Sequence, residues 1–315
     1  MTTLIENFTL KQADPGHMLP KDMQRSNEIA YSKQHLDKYL KTYLEQEELV
    51  QKIAEGIARL EDWLAQEYYE SKNLRLAQVK TLNLKELVEA VYISSMYIRT
   101  PDTLVSVTSR MAYELKFDNH SDAIKTVAEI VGVLAWTGVY VLSREDTHAT
   151  IMFKSAVNFP AELDSALQRA MYPLPMVCEP KEVKNNWDSG YLTFNDSIVL
   201  GKRNNHEGNL CLDVINLQNS IALKLDLDFL CSVEEEPSFA LDDLQKAQNW
   251  NQFKWESYNV YSLIAKQGNK FYLTNKNDKR GRLYAQGYHI TTQGSAFKKA
   301  MIELHNEEVV EGVPT

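Results

Sequence analysis

The sequence predicts a mainly α-helical protein with an α+β C-terminal part. Three observations support this prediction. Up to Trp136, apolar residues recur three and four positions apart, which is the period of an amphipathic helix. After Trp136, short runs rich in β-branched and aromatic residues alternate with helical segments. The hydrophobic fraction of 44% is that of a globular chain with a core of its own.

The N-terminal half contains three helical segments after a polar stretch, residues 1–30, that we expect to be loosely ordered. The segment 34–69 carries one apolar stripe formed by Val50, Ile53, Ile57, Leu60 and Leu64. This stripe suits packing on the protein's own core, which we favour, or a coiled coil with a partner. Residues 83–98 and 121–136 predict two further helices, and Ser121 is a suitable N-cap for the second.

The first part of the C-terminal half predicts strands and extended segments. A β-hairpin is expected near residues 139–157 around the letters REDTH, followed by a helix with Pro160 in its first turn. Three prolines favour an extended segment at residues 172–181. Short strands are expected within residues 189–201.

In the last part of the chain, predicted helices again alternate with turns and strands. Residues 212–225 predict a helix, and the acidic residues 233–238 predict a solvated surface turn. A helix is expected to end near Lys266. A strand, a loop and a strand then follow over residues 269–293, with a last helix over residues 295–304.

Composition and motifs exclude several classes of function. The formal net charge of −9 argues against a protein that coats nucleic acid with its whole surface, although a local cluster of positive charge can still bind it. No apolar run approaches the roughly 20 residues of a membrane helix. The sequence contains no HExxH, Walker, GxGxxG or GxSxG motif. Its three cysteines form no CxxC pair and are expected to be reduced, as in a cytoplasm.

One short segment, NKNDKRGRLYAQG, concentrates positive charge around Gly281. Its basic residues are Lys276, Lys279, Arg280 and Arg282. If the backbone is extended at Gly281, Arg280 and Arg282 leave it on the same side, where their planar groups can each bind a phosphate. Asp278 is expected to orient a guanidinium or the loop backbone, and Tyr284 to lie against a sugar or in the core. The alternative is an ordinary hairpin with solvated charges at its tip.

Several segments read together resemble the single-subunit DNA-directed RNA polymerases of phages and mitochondria. The resemblance to the family's DxxGR segment is carried by Asp278, Gly281 and Arg282, with Arg280, Tyr284, Gln293 and Gly294 also matching. Residues 172–181 are similar to the family's proline-rich segment, although Glu179 replaces a proline. Residues 214–226 are similar to its INxxQNT segment at Asn216, Gln218 and Asn219, with Ser220 in place of the threonine. The resemblance covers roughly residues 121–304.

The resemblance implies a nucleic-acid-binding site in the loop. Arg282 is expected to contact the backbone of the template and of the RNA–DNA hybrid, and Arg280 to support it. Gly281 is expected to permit close approach, and Asp278 to orient the loop. Lys279 and Tyr284 complete the predicted site.

The resemblance also implies a division of the chain. It suggests a helical N-terminal domain (31–170), a connection to the palm (171–232), a reduced thumb (233–268), the first strands of an incomplete palm (269–304) and a tail (305–315). The family's catalytic aspartates follow the DxxGR segment by a long stretch, whereas this sequence stops soon after it. We therefore expect neither a catalytic residue nor a metal ligand in this chain.

The closest implied assembly is the two-chain phage RNA polymerase of enquatroviruses, whose N-terminal subunit this chain resembles. The partner chain would carry the palm, the fingers and Mg²⁺, and would bind the nucleoside triphosphates. The other expected partners are the DNA template and the RNA transcript, with no membrane, in the cytoplasm of the infected bacterial host. A truncated polymerase, a non-enzymatic nucleic-acid-binding accessory protein that uses the same loop, and a helical scaffold are the alternatives.

Overall fold

The computed structural model describes residues 18–144, 150–170, 172–201, 204–306 and 312. The chain divides into two compact units, Lys33–Arg169 and a second unit that combines Met1–Ser32 with Ala170–Thr315. The first described helix, α1 (Pro20–Tyr31), therefore belongs to the same unit as the C-terminal part.

The unit Lys33–Arg169 is mainly helical. Its helices are α2 (Lys33–Tyr43), α3 (Glu47–Ala65), α4 (Glu70–Val79), α5 (Leu84–Met96), α6 (Leu104–Met111), α7 (His120–Leu134) and α8 (Ala161–Arg169). Two 3₁₀ turns lie at Ala112–Leu115 and Ala135–Thr137.

The long helix predicted over residues 34–69 is in fact two helices, because the chain turns at residues 44–46 between α2 and α3. Three residues of the predicted stripe are buried in the core, Ile53, Leu60 and Leu64. Val50 is 48% exposed, because the buried face of α3 runs through Leu49 and Ile53 and leaves Val50 outside it. This face packs against α5 at Gly56, where an added Cβ would lie only 2.7 Å from Tyr92 Oη.

The predicted β-hairpin is confirmed in its strands. β2 (Tyr140–Arg144) pairs antiparallel with β3 (Ile151–Ser155), and β1 (Asp102–Thr103) adds to the other edge of β3. The connecting residues 145–149 lie outside the described residues. The N-cap of α7 is Asn119 rather than Ser121, because the Asn119 side chain accepts hydrogen bonds from the Ser121 and Asp122 amides.

The second unit mixes helices with short antiparallel strands. In addition to α1, its elements are α9 (Leu212–Asn219), β4 (Leu223–Leu225), α10 (Leu227–Ser232), α11 (Leu244–Lys266), β5 (Asn275–Asn277), β6 (Leu283–Ala285), α12 (Ala296–Ala300) and β7 (Ile302–Leu304). β4 pairs with β7, and β5 pairs with β6. The main core of this unit collects apolar side chains from these elements around Ile264, Phe271 and Met301.

Two predicted helices of this unit are shorter than expected. The helix predicted over residues 212–225 ends at Asn219, and the one over residues 295–304 ends at Ala300. In each case the remaining residues form a strand, β4 or β7, because the two segments pair with each other in register Leu223↔Leu304. This pairing joins residues about 80 positions apart, and long-range pairing overrides local helix propensity.

Two further expectations are wrong in detail. Residues 189–201 form no strand, and only an isolated parallel bridge joins Val199 to Asn277. The acidic segment 233–238 does interrupt the helices, but Glu235 is buried at 8% exposure and accepts a hydrogen bond of 3.0 Å from Ser295 Oγ. A buried carboxylate needs such a donor, since water is not available to solvate it.

Helix α1 is held by buried polar side chains, so the expected loose order of residues 1–30 is wrong for residues 20–30, while residues 1–17 lie outside the described residues. The Glu28 carboxylate accepts hydrogen bonds from the Leu192 amide (2.8 Å), the Thr193 amide (2.7 Å) and the Thr193 hydroxyl. Gln24 Oε1 accepts from the Val177 amide at 2.9 Å. These bonds satisfy backbone amides of segments that are more than 150 residues away in sequence.

We expect Glu28→Ala to lower the free energy of unfolding of the second unit by about 2–4 kcal/mol, because it leaves buried amides without acceptors. Urea unfolding followed by circular dichroism would measure this loss. The control is Glu48→Ala, whose side chain is 78% exposed in an ion pair with Lys52 and should change stability by less than about 0.5 kcal/mol. Equal effects of the two substitutions would contradict the role of Glu28.

Candidate nucleic-acid interface

The predicted site lies at the tip of the hairpin formed by β5 and β6. The strands pair in the register Asn275↔Ala285, Lys276↔Tyr284 and Asn277↔Leu283. Between them the chain reverses over Asp278–Arg282, which we call the basic turn. The Gly281 amide donates to the Asp278 carbonyl at 2.9 Å, and the Asp278 amide donates to the Arg282 carbonyl at 2.8 Å.

Gly281 adopts a left-handed conformation with a φ of +81°. The backbone is therefore not extended at Gly281, and the condition for placing both arginines on the same side of an extended segment is not met. An added Cβ would meet no atom within 4 Å, so space does not require a glycine at this position. The positive φ does favour glycine, because other residues pay a steric penalty in this region. Gly281 therefore closes the basic turn through its backbone conformation.

Asp278 holds the basic turn together with a single carboxylate. Its Oδ1 accepts from the amides of Arg280 (2.8 Å) and Arg282 (3.0 Å). Its Oδ2 accepts from Nε (3.0 Å) and Nη2 (2.8 Å) of Arg280, and from Nε and Nη2 of Arg282 at 3.0 Å each. Asp278 thus orients both guanidinium groups and the loop backbone at once, where we expected one or the other.

The two arginines remain accessible despite this shared partner. The Arg280 and Arg282 side chains are 69% and 52% exposed, whereas that of Asp278 is only 14% exposed. The pKa of Arg282 is raised, mainly by its hydrogen bond to Asp278. Because one carboxylate faces two guanidinium groups, and the exposed Lys279 adds a third positive charge, the basic turn keeps a net positive charge.

Tyr284 extends this surface along β6. The Arg282 Cζ atom lies 5.7 Å from the centroid of the Tyr284 ring, within the range of a cation–π contact. The Tyr284 side chain is half-buried. It is therefore available to a ligand along part of its ring.

Lys276 does not belong to the exposed basic surface. It is 8% exposed, and its Nζ donates to Asp196 Oδ2 in an ion pair. A lysine buried to this extent needs a carboxylate partner, and Asp196 was not identifiable as one from the sequence. Of the four basic residues around Gly281, three therefore remain to contact a ligand.

The hairpin is supported along the outer edge of β5 by groups from distant segments. The Asn277 amide donates to the Ile198 carbonyl (2.8 Å), and the Leu200 amide donates to the Asn277 carbonyl (2.7 Å). The Asn275 amide donates to Asn219 Oδ1 at 2.8 Å. Below the turn, Leu283 packs on a small apolar cluster that contains Val183, Ile198 and Ile215.

The amide residues of the INxxQNT-like segment have different surroundings. Asn216 clamps the backbone of Val183, accepting from its amide at 2.8 Å and donating to its carbonyl at 2.9 Å. Asn219 is buried and supports Asn275, whereas Gln218 is exposed. Two of the three side chains therefore connect α9 to neighbouring segments of the same unit.

The aromatic residues near the hairpin form no continuous exposed groove. Phe271 and Tyr272 are buried at 0% and 8% exposure. Tyr288 is 39% exposed and stacks in parallel on Tyr172 with ring centroids 3.8 Å apart. A single-strand-binding protein that stacks successive bases uses a row of exposed rings. Two of these rings are buried, so they do not form such a row.

His289 is a buried titratable group in the segment that follows the hairpin. It is 7% exposed, and its Nδ1 lies 2.8 Å from Ser257 Oγ. Burial and, to a smaller extent, the positive charge of Lys298 together lower the pKa of His289 to about 4. Lys298 itself donates to the Tyr288 carbonyl at 2.6 Å, so the segment between β6 and α12 is tied to α12 by this bond and to α11 by the contact between Ser257 and His289.

Other site types find no support among the described residues. Within the described ranges, no group of three or more His, Cys, Asp or Glu side chains is arranged to hold a metal ion. In the same part of the chain, no helix combines the length and hydropathy that a membrane span requires.

Comparison with known proteins supports a similarity to RNA polymerase. No family model matches the chain. Over 145 residues the chain is 32% identical to a "Probable DNA-directed RNA polymerase" from Gelasinospora sp. (strain G114). The match covers 42% of this chain but spans only 17% of the length of that protein. The similarity to a DNA-directed RNA polymerase agrees with the motifs, and the two-chain phage type stays a prediction.

We expect the second unit to lose stability as the pH falls from about 6.5 to 4. In this range unfolded His289 takes up a proton that the folded state excludes, so protons favour unfolding. The loss attributable to His289 should reach about 2 kcal/mol near pH 4.5. Urea unfolding of the wild type and of His289→Asn over this range would measure it, and the variant should show the weaker pH dependence. The same pH dependence in both proteins would contradict the assignment.

Proposed function

We propose that this chain is a subunit of a two-chain phage DNA-directed RNA polymerase, in which the basic turn binds the backbone of the template and of the RNA–DNA hybrid. The proposal is supported by the similarity to a probable DNA-directed RNA polymerase. The single observation that carries it is the Asp278 carboxylate, which holds two exposed guanidinium groups side by side.

The geometry of the basic turn suits a phosphate backbone. A guanidinium group can donate two parallel hydrogen bonds to a phosphate, and two adjacent groups can contact neighbouring phosphates of one strand. Because Asp278 already restricts Arg280 and Arg282, binding costs less side-chain entropy than it would for two free arginines. Contacts of this kind do not depend on base sequence, so the basic turn would hold a moving template in any register.

The catalytic groups belong, in this proposal, to the partner chain. That chain would carry the palm aspartates with Mg²⁺ and the fingers, and would bind the nucleoside triphosphates. The fraction of the polymerase relative that matches this chain, 17%, is compatible with a protein that supplies only part of such an enzyme. The proposed site of action is the cytoplasm of the infected bacterial host.

The proposed reduced thumb corresponds to residues 233–268. Among its described residues, one helix, α11, accounts for most of the segment. α11 is tied to the segment after β6 through Ser257 and His289, so thumb and hairpin share packing within one unit. This arrangement supports a role of α11 in holding the hairpin, in addition to any contact with nucleic acid.

We expect Arg282→Ala to weaken binding of a fluorescein-labelled 12-base-pair RNA–DNA hybrid about five- to twentyfold, because one charge-assisted phosphate contact is lost. The slope of log K against log salt should fall by about one. Fluorescence anisotropy at several salt concentrations measures both. The control is Arg25→Ala, since Arg25 is also exposed and paired with an aspartate, Asp22, at 3.0 Å. Unchanged binding by Arg282→Ala would refute the proposed contact.

We expect RNA synthesis to require a second polypeptide. The test is expression of this chain alone and together with the product of the neighbouring reading frame, followed by transcription assays on single-stranded and double-stranded templates. Activity of the purified chain alone would rule out the two-chain arrangement. Hybrid binding without transcription in either sample would favour a nucleic-acid-binding accessory protein.

A further inference from the structure

The outer edge of β6 is bound by a side chain rather than by a strand. Among the described residues, β6 pairs with β5 alone. On its other edge, Gln293 Oε1 accepts from the Ala285 amide at 3.1 Å, and Gln293 Nε2 donates to the Leu283 carbonyl at 2.9 Å. Residues two apart in a strand direct their backbone groups to the same edge. One carboxamide therefore satisfies both groups that a third strand would otherwise pair.

One of these two bonds is made to Leu283, the residue that follows Arg282, and the other to Ala285. The Leu283 side chain packs on the cluster around Val183, Ile198 and Ile215, while its carbonyl is held by Gln293. Side chains alternate along a strand, so fixing Leu283 at both points directs Arg282 and Tyr284 to the opposite face. On that face the Arg282 Cζ atom lies 5.7 Å from the Tyr284 ring.

Gln293 differs from the other supports of the hairpin in its exposure. Asn219 and Lys276 are buried at 3% and 8% exposure, so their replacement disturbs the interior of the unit. Gln293 is exposed, and its replacement opens no cavity in the core. A loss of its hydrogen bonds should therefore act on the local geometry of β6 with little effect on the fold.

We infer that Gln293 is a positioning residue for Arg282, which fixes the direction in which the guanidinium group meets a phosphate backbone. The inference rests on the proposed function and adds a residue to its site. When Gln293 is removed, the edge of β6 loses both partners and Arg282 samples more orientations. Affinity for nucleic acid then falls through Arg282, although Gln293 carries no charge.

The test is a double-mutant cycle in the full chain with the 12-base-pair hybrid as probe. Gln293→Met keeps the length of the side chain and removes both hydrogen bonds. We expect it to weaken binding about three- to tenfold when Arg282 is present, and less than about twofold in the Arg282→Ala background. Gln168→Met is the matched control, because Gln168 is an exposed glutamine on α8 that donates to Asp164 at 3.0 Å. It should leave binding unchanged.

Hydrogen exchange gives a readout that does not depend on binding. The Ala285 amide should exchange at least about tenfold faster in Gln293→Met than in the wild type, with an unchanged unfolding midpoint. If Arg282→Ala leaves hybrid binding unchanged, the proposed function fails. If Arg282→Ala weakens binding but Gln293→Met has no effect, or the same effect in both backgrounds, the positioning inference alone is wrong. Unchanged exchange at Ala285 also overturns it.

Discussion

The candidate site depends on one carboxylate, that of Asp278. It accepts two backbone amides of the turn and both guanidinium groups, so the shape of the loop and the placement of its charges have the same origin. Oδ1 accepts the two amides and Oδ2 faces both guanidinium groups, so both oxygens of the carboxylate are engaged. The positive φ of Gly281 brings the two arginines within reach of this acceptor. The aspartate, the glycine and the arginines are therefore parts of one local structure.

This arrangement shows how a chain with a formal net charge of −9 can offer a site for a polyanion. Surface charges act over about a Debye length, roughly 8–10 Å, so a ligand at the basic turn responds mainly to the residues near it. One nearby cation, the buried Lys276, is neutralised by its ion pair with Asp196, while Lys279, Arg280 and Arg282 remain at the surface. The negative charge of the rest of the protein then limits non-specific binding of nucleic acid away from the basic turn.

The sequence predicts those features that arise within a few neighbouring residues. Helices α3, α5 and α7 of the unit Lys33–Arg169 follow from periodicity, and the basic turn is complete within five residues, Asp278–Arg282. The missed features are long-range. The switch from helix to strand at Leu223 depends on a partner near Leu304, and the burial of Lys276 depends on Asp196. Neither partner is adjacent in sequence, and one amino-acid sequence alone does not show which distant residues lie close together in space. Pro20 in the first turn of α1, followed by Asp22, is the local signal that would have predicted that helix.

The anchoring of α1 has a consequence for the order of events during synthesis. Helix α1 is synthesised before the residues that anchor it, because Val177, Leu192 and Thr193, which donate their amides to its side chains, follow more than 150 residues later. The unit Lys33–Arg169 lies between these two segments and has its own contiguous sequence, so it can fold while α1 still waits for its neighbours. Pairing at high sequence separation is slow, because the intervening loop must first be closed. The nascent chain thus exposes the Glu28 carboxylate to water until the segment with Leu192 and Thr193 is translated, and α1 can be anchored only after that.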